Sequence, residues 1–319
     1  MIDLIGKKYY FFALSALIIL TGLVFYFING LQLDIQFQGG TLIQMQMPDD
    51  NFDTTKAEEI VKNTINKKAT AHKSSTYNAD NSASELYLLV LDISSQSTLN
   101  ENERNQVIEA LKKEFNVKPD AQIDLSSVEP FIGEEMKKDA LNAVFWASFI
   151  IILYVWWRFK VMSGLPAGVM AVLGLLHDVL IMLTVYIIFK IPLNDSFVAA
   201  VLTVIGYSMN DTIIIYDRIR ENSNLLKKVP IGELVNKSVV QTLNRSINTV
   251  VTVLICIITV FVFASVNNIQ SIKDFTLPLI VGITSGMYSS IFISSSLYVL
   301  WKERSVKKKI VAKPARALK

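Results

Sequence analysis

Apolar residues along this chain gather into six long runs, at about 9–29, 139–157, 164–189, 195–217, 246–264 and 275–301. Each is close to the roughly 20 residues that a bilayer-crossing helix requires, so the pattern predicts six spans. No small-residue cleavage pattern follows the first run, which reads as a retained anchor rather than a removed signal peptide. Between the first and second runs lie about a hundred polar residues, the one stretch long enough for a domain outside the membrane. Here the periodicity changes. Thr41–Met47 alternates as a strand does, and Asp53 or Thr54 caps a helix to about Lys67 with Ile60, Val61 and Ile65 on its inner face. Strands are expected over Ala69–Tyr77 and Glu85–Asp92, joined by the turn-rich Asn78–Ser84. Leu99 opens a second helix with Val107, Ile108 and Leu111 inward, and Gln122–Val128 supplies a last strand. The order β-α-β-β-α-β is that of a ferredoxin-like split βαβ unit.

The fold class expected is therefore a polytopic α-helical membrane protein of six spans, with an extracytoplasmic α+β domain between the first two. The divisions are residues 1–8, a first span 9–29, an outer domain 30–138, a five-helix region 139–301 containing a loop 218–245, and a basic tail 302–319. Composition agrees: 51% of residues are hydrophobic and only 18% charged, with mean hydropathy +0.39. Cys256 is the one cysteine, which excludes a disulfide framework and leaves no thiol or metal site and no cofactor to expect. The net charge of +3 comes from flanks of the spans and calls for no nucleic acid. Arg158 and Lys160 follow the second run, and 218–245 holds six Lys or Arg. The tail adds Lys302, Arg304, Lys307, Lys308, Lys309, Lys313, Arg316 and Lys319, and Lys7 and Lys8 precede the first run. By the positive-inside rule both termini are cytoplasmic, with membrane lipid the simplest partner of the tail.

Candidate chemistry sits inside the apolar runs. In the fourth, Asn210-Asp211 lies roughly two turns before the charged cluster Asp217-Arg218-Ile219-Arg220-Glu221. A carboxylate at such depth costs on the order of 2.5–3.5 kcal/mol on insertion scales, and ionisable groups there are functional candidates. His177-Asp178 in the third run is costly twice over, and neighbours along a helix do not face one another, so each needs its own partner. Gly164, Gly168 and Gly174 before it, and Gly282 to Ser290 in the sixth run, are small-residue faces suited to close helix packing. Leu225–Gln241 has a mixed amphipathic pattern expected to lie along the membrane surface. Arg245 then opens the fifth span. At a helix start it opposes the macrodipole, so either a carboxylate partner stands nearby or the residue is a topological anchor. Val128-Glu129-Pro130-Phe131-Ile132-Gly133 is a stiff elbow or a hinge. His72 stands alone and is expected in solvent. No nucleotide loop and no nucleophile–base set occurs, which argues against a hydrolase.

Nearly the whole chain resembles the SecD/SecF family of protein-export membrane proteins in the RND superfamily. The resemblance rests on Leu33-Asp34-Ile35-Gln36-Phe37-Gln38-Gly39-Gly40, on Gly174-Leu175-Leu176-His177-Asp178-Val179, and above all on Ile205-Gly206-Tyr207-Ser208-Met209-Asn210-Asp211-Thr212 running into Asp217-Arg218-Ile219-Arg220-Glu221-Asn222. Leu243-Asn244-Arg245-Ser246 and Tyr288-Ser289-Ser290-Ile291-Phe292 complete it, while Glu129 departs from the usual glycine before the proline. The resemblance implies a SecF-like half paired with a six-span SecD in an RND-type bundle. It also implies work beside the SecYEG translocon, where proton flow helps draw an unfolded polypeptide across the membrane. The proton pathway it implies includes Asp211 and Arg245, beside Asn210, with His177 and Asp178 as polar support. A different class, a proton-driven RND-type exporter of small molecules or lipids, would need about twice the spans; a scaffold without ion flow would tolerate Asn in place of its buried acids.

Overall fold

A computed structural model describes residues 3–77, 85–94, 99–118, 121–159, 164–226, 229–267 and 269–312. The turn expected at 78–84, Lys160, and the tail cations Lys313, Arg316 and Lys319 lie outside the described residues. Six helices are long and apolar enough to cross a membrane: α1 (Lys8–Asn29), α5 (Pro130–Arg158), α6 (Gly164–Phe189), α7 (Asp195–Leu225), α8 (Ile231–Val266) and a last composite one. That last element is α9 (Gln270–Tyr288), a π-helical turn Ser289–Ser294, and α10 (Ser295–Ala312).

Between α1 and α5 come a short helix α2 (Ile35–Gln38), then β1 (Gly40–Met47), α3 (Thr54–Ile65), β2 (Ala69–Tyr77), β3 (Glu85–Ser94), α4 (Glu101–Glu114) and β4 (Ile123–Val128). The sheet order is β2-β3-β1-β4 with every neighbouring pair antiparallel, the split βαβ topology expected. Alternation decides the faces. Ile43, Met45, Leu89, Leu91 and Ile93 point to one side and are wholly buried against Ala57, Val61, Val107 and Leu111 of the two helices. The Asp53 side chain accepts from the Thr55 amide at 2.9 Å and so caps α3. The second helix begins two residues later than expected, because Asn100 and Glu103 form a reciprocal capping box.

The opposite face of the sheet looks toward the membrane helices. The chain after α1 is stitched to the turn between α6 and α7: Asp34 N–H donates to the Leu193 carbonyl and Leu193 N–H to the Gln32 carbonyl, each at 2.9 Å. Gly39 (φ 76°) presses on the first residue of α5, where an added Cβ would stand 2.6 Å from Pro130 Cα. One at Gly133 would stand 2.9 Å from the Phe37 carbonyl carbon. In the stretch 128–133, expected as a stiff elbow or a hinge, Val128 ends β4, Glu129 is the N-cap, and Pro130 to Gly133 form the first turn of α5, held tightly against α2.

One expectation fails outright. The described part of 225–241, expected along the membrane surface, is not a segment of its own. From Ile231 it forms the start of α8, with Leu234, Val235 and Val239 in the same buried cluster as Ile215, Tyr216 and Tyr298. Polar residues there lower the hydropathy without ending the helix. Near the chain start, the Leu4 and Ile5 amides donate to Asn236 Oδ1 at 2.8 and 3.2 Å, fixing the segment before α1 to α8.

The outer unit has its own core and caps, so residues 40–128 are expected to fold alone and unfold cooperatively in urea. Asn100→Ala should lower the stability of that fragment by about 1 kcal/mol through loss of the capping box. Far-ultraviolet circular dichroism along a urea gradient measures both, and a featureless spectrum would contradict the assignment.

Candidate functional site

Two carboxylates are buried at the centre of the bundle, and their surroundings differ completely. Asp178 on α6 has no exposed surface. Its Oδ2 accepts from Ser208 Oγ at 2.9 Å and Ser289 Oγ at 2.8 Å, and its Oδ1 accepts from Ser285 Oγ at 2.7 Å. His177 Nδ1 lies 3.3 Å from Oδ1, so these two neighbours do meet, contrary to the rule that adjacent helical residues face apart. The imidazole bends back over its own turn, stacks on Tyr288, and places Nε2 3.0 Å from Ser15 Oγ on α1. Ser15 in turn bonds the Tyr288 hydroxyl, which donates to the Phe11 carbonyl at 2.8 Å. Asp178 thereby ties together α6, α7 and α9, and through His177 also α1.

Hydroxyl donors this short require backbones in close approach. Glycine supplies it on α9: a Cβ at Gly282 would stand 2.4 Å from Val204 Cγ2, and one at Gly286 2.9 Å from Ser208 Cβ. The small-residue face of the sixth span is a packing surface within this chain. The π-helical turn begins at Ser289 itself. Ser290 Oγ pairs with Thr212 Oγ1 at 2.8 Å, and Ser294 Oγ with the Tyr216 hydroxyl at 3.2 Å, so the widened turn aims its serines at α7.

Asp211 is 2% exposed, yet neither of its oxygens has a hydrogen-bond partner among the described residues. Tyr207, one turn earlier, and Ser246, next to Arg245, also keep buried hydroxyls without partners. Arg245 stands within electrostatic range of Asp211 but forms no ion pair with it; it is the fifteenth residue of α8 rather than its start, so the macrodipole argument lapses. It lines an open cleft of about 530 Å³ on the side of the chain termini, with Ile214, Asp217, Arg218, Arg220 and Glu221. Asp217 pairs with Arg158 at 3.3 Å and Arg220 at 2.9 Å, and Arg218 with Glu221 at 2.6 Å. Asn222 donates to Ser238 Oγ and Gln241 Oε1, both at 2.8 Å, holding α7 to α8 at the cleft floor. Asn210 is not in this interior. It faces outward on α7 with Thr203 and Gly206, and an added Cβ at Gly206 would meet nothing within 4 Å.

Of the expected residues, His177 and Asp178 share one network, Asp211 on α7 and Arg245 on α8 lie within electrostatic range without a contact, and Asn210 lies outside both. Ser208, Ser285 and Ser289 escaped the sequence reading. The one signal for them is that the glycine and serine pairs of the sixth span repeat every four residues.

Residues 107–304 match the family described as Protein export membrane protein SecD/SecF, C-terminal. The chain belongs to the SecD/SecF family. It is 34% identical over 311 residues to a protein of Alicyclobacillus acidocaldarius named Protein translocase subunit SecF, covering 96% of this chain and 94% of that one. It is 32% identical to Protein translocase subunit SecDF of Bacillus subtilis, covering 96% of this chain and 39% of that longer one. Among solved structures, SecDF from Thermus thermophilus, described as a translocon-associated membrane protein, superposes with a TM-score of 0.76 at 29% identity. That match spans 95% of this chain and 39% of SecDF. A second SecDF structure, in a super-membrane-facing form, gives a TM-score of 0.67 at 30% identity and covers 98% of this chain and 40% of that one. Family and six apolar helices together make this a multi-pass membrane protein, and no enzymatic family is indicated.

The two carboxylates should respond oppositely to substitution. Asp178→Ala strands the Ser208 and Ser285 hydroxyls in an apolar setting, at roughly 1–3 kcal/mol each, while Ser289 keeps the Gly286 carbonyl, and should lower the detergent melting temperature by several degrees. Asp211→Asn breaks no hydrogen bond and should leave it within about a degree. Thermal unfolding of the purified variants followed by dye fluorescence measures the difference.

Proposed function

We propose that this chain is the SecF-type subunit of a SecD/SecF accessory complex, using the proton motive force to promote polypeptide movement through the Sec translocon of the bacterial cytoplasmic membrane. The observation that carries the reading is Asp211. A carboxylate kept only to hold helices together would resemble Asp178, whose oxygens are all engaged. Asp211 is just as deeply buried and unpaired, one turn from a charged cleft that Arg245 enters. That arrangement suits a group that takes up a proton in one conformation and meets a guanidinium in another. Arginine fits the second state because its planar, delocalised charge remains after desolvation.

Both termini lie in the cytoplasm on this reading, so the cleft opens to the cytoplasm and the sheet domain is outside. The basic flanks support that orientation through the positive-inside rule. The outward stripe Thr203, Gly206 and Asn210 on α7 is too polar and too recessed for lipid, and it suits another helix packed close. The matched SecDF chains are more than twice as long as the portion matched here, and a separate SecD would supply the missing half.

Asp211→Asn is expected to yield normal membrane levels and no stimulation of export by an imposed proton gradient. Arg245→Lys should reduce the stimulation in part and Arg245→Ala abolish it, since Lys keeps the charge without the fork. Inverted vesicles carrying this chain, SecD and the translocon, with a fluorescent secretory precursor, provide the measurement. Gradient-stimulated export by Asp211→Asn at the wild-type rate would refute the proton role.

A further inference from the structure

A chain of polar groups joins α9, α1 and α6, and its hydrogens fit in one direction only. The Tyr288 hydroxyl lies 2.8 Å from the Phe11 carbonyl, which can only accept, so the phenolic hydrogen is spent there. Ser15 Oγ lies 3.2 Å from that same hydroxyl and is therefore the donor, which spends its own hydrogen. His177 Nε2 lies 3.0 Å from Ser15 Oγ and has one role left: it donates, so Nε2 carries a hydrogen. At the other edge of the ring, Nδ1 stands 3.3 Å from Asp178 Oδ1. A bare Nδ1 facing an ionised carboxylate would set lone pair against negative charge where the dielectric is low. A second hydrogen therefore lies between them, on Nδ1 or on Oδ1.

The ordinary arrangement, a neutral imidazole with its hydrogen on Nδ1 beside an ionised Asp178, breaks this chain. Ser15 would then turn its hydrogen to Nε2, leaving two oxygens at 3.2 Å with none between them. Packing holds the partners where they are. The imidazole stacks on the Tyr288 ring, and that ring packs against both Phe11 and Phe292. Asp178 accepts from Ser208, Ser285 and Ser289, and its one charged or chargeable partner among the described residues is His177. Ser15 and Gly22 are the buried residues of α1, so Ser15 is the polar point at which a largely lipid-facing helix meets the bundle. With one proton shared between them, His177 and Asp178 are neutral as a unit, which spares the bilayer interior a lone charge.

We propose that the His177–Asp178 pair is a binding site for a resident proton, held between Nδ1 and Oδ1 and locked in by the chain through Ser15 and Tyr288 to the Phe11 carbonyl. The proton belongs to the pair rather than to either residue, as it does for any two strongly coupled groups. Its role is structural: it aims the Nε2 hydrogen at Ser15, so that α6 grips α1. The ways out are closed. The chain ends on a backbone carbonyl at one side, and on serine hydroxyls at the other. Asp211 has no hydrogen-bond partner among the described residues and so is not joined to this network. The resident proton is thus separate from any proton that Asp211 exchanges, and it stands or falls independently of the transport reading.

The test uses the full chain in liposomes, with isotope-labelled histidine and aspartate read by solid-state nuclear magnetic resonance. The chain has 2 histidines, and the other supplies the reference. His72, expected alone in solvent, instead lines an outer cleft of about 490 Å³ between the sheet and the helix ends, with Asp34, Asp92 and Asp274. Its Nδ1 lies 3.7 Å from Asp92 Oδ2. Burial and Lys273 push His72 down, so it gives a neutral imidazole signal, assigned by its loss in His72→Gln. Spectra are recorded at a pH of about 7.5, about one unit above the ordinary histidine value. Nε2 of His177 should show a directly bonded hydrogen, with a second shared by Nδ1 and the Asp178 carboxyl. Tyr288→Phe frees the Ser15 hydrogen for Nε2, so the Nε2-bonded hydrogen should be lost. Asp211→Asn should shift none of these signals. A bare Nε2 in the wild type, or a bare Nδ1 beside an ionised Asp178, overturns the site. So does an Nε2 hydrogen that survives Tyr288→Phe, or a His177 signal that moves with Asp211→Asn.

Discussion

A bilayer offers no hydrogen bonds, so a carboxylate at its centre dictates the helix geometry around it, and Asp178 does so here. Its three serine donors come from two different helices, and each must bring a backbone near enough for an oxygen at 2.7–2.9 Å. Glycines at 282 and 286 allow α9 to reach α7, and the widened turn from Ser289 redirects the next serines. Three short hydrogen bonds satisfy the carboxyl oxygens, where leaving a buried polar group unpaired would cost roughly 1–3 kcal/mol. Apolar packing of α6, α7 and α9 is therefore arranged around a polar centre rather than interrupted by one.

With that centre fixed, α7 becomes a rigid post whose next turn carries an acid the network does not reach. Three residues separate Ser208 from Asp211, enough to turn the second side chain from the α9 interface toward α8 and Arg245. The same residue type thus serves two ends a short distance apart. One carboxylate is saturated and holds the helices; the other has no hydrogen-bond partner among the described residues and stands within electrostatic range of Arg245 without an ion pair.

The six spans and the sheet domain were legible because their signals are local. A bilayer's thickness imposes run length, and the pleat imposes alternation, whatever the rest of the chain does. The failures share a different cause. The fifth helix extends far upstream of its apolar run because Leu234, Val235 and Val239 find a tertiary core, which hydropathy does not register. His72 looked solitary in sequence because Asp92 reaches it only across the β2–β3 pairing, two ladder positions apart in register. The serine donors to Asp178 were invisible for a related reason. A serine hydroxyl satisfies itself against its own helix or a neighbour with equal ease, and only packing decides. Asp211 stood out from the beginning, since the cost of burying an acid needs no tertiary knowledge to estimate; that Asn210 beside it faces outward could not be read from the same run.

The outer cleft and the inner carboxylates are built on the same two helices. Asp274 is the fifth residue of α9, which eleven residues later, about 16 Å along its axis, presents Ser285 to Asp178. Asp195 opens α7 at the seam with Gln36, and the same helix carries Ser208, Asp211 and the arginine cluster in turn. An α-helix transmits an axial shift with little loss, and close-packed glycine contacts admit discrete rather than graded displacements. The π-helical turn follows directly on those contacts, and such turns are frequent at functional sites. The Asp178 network thus sits on both helices between the ends that meet the sheet domain and the turns that carry Asp211 and Ser290.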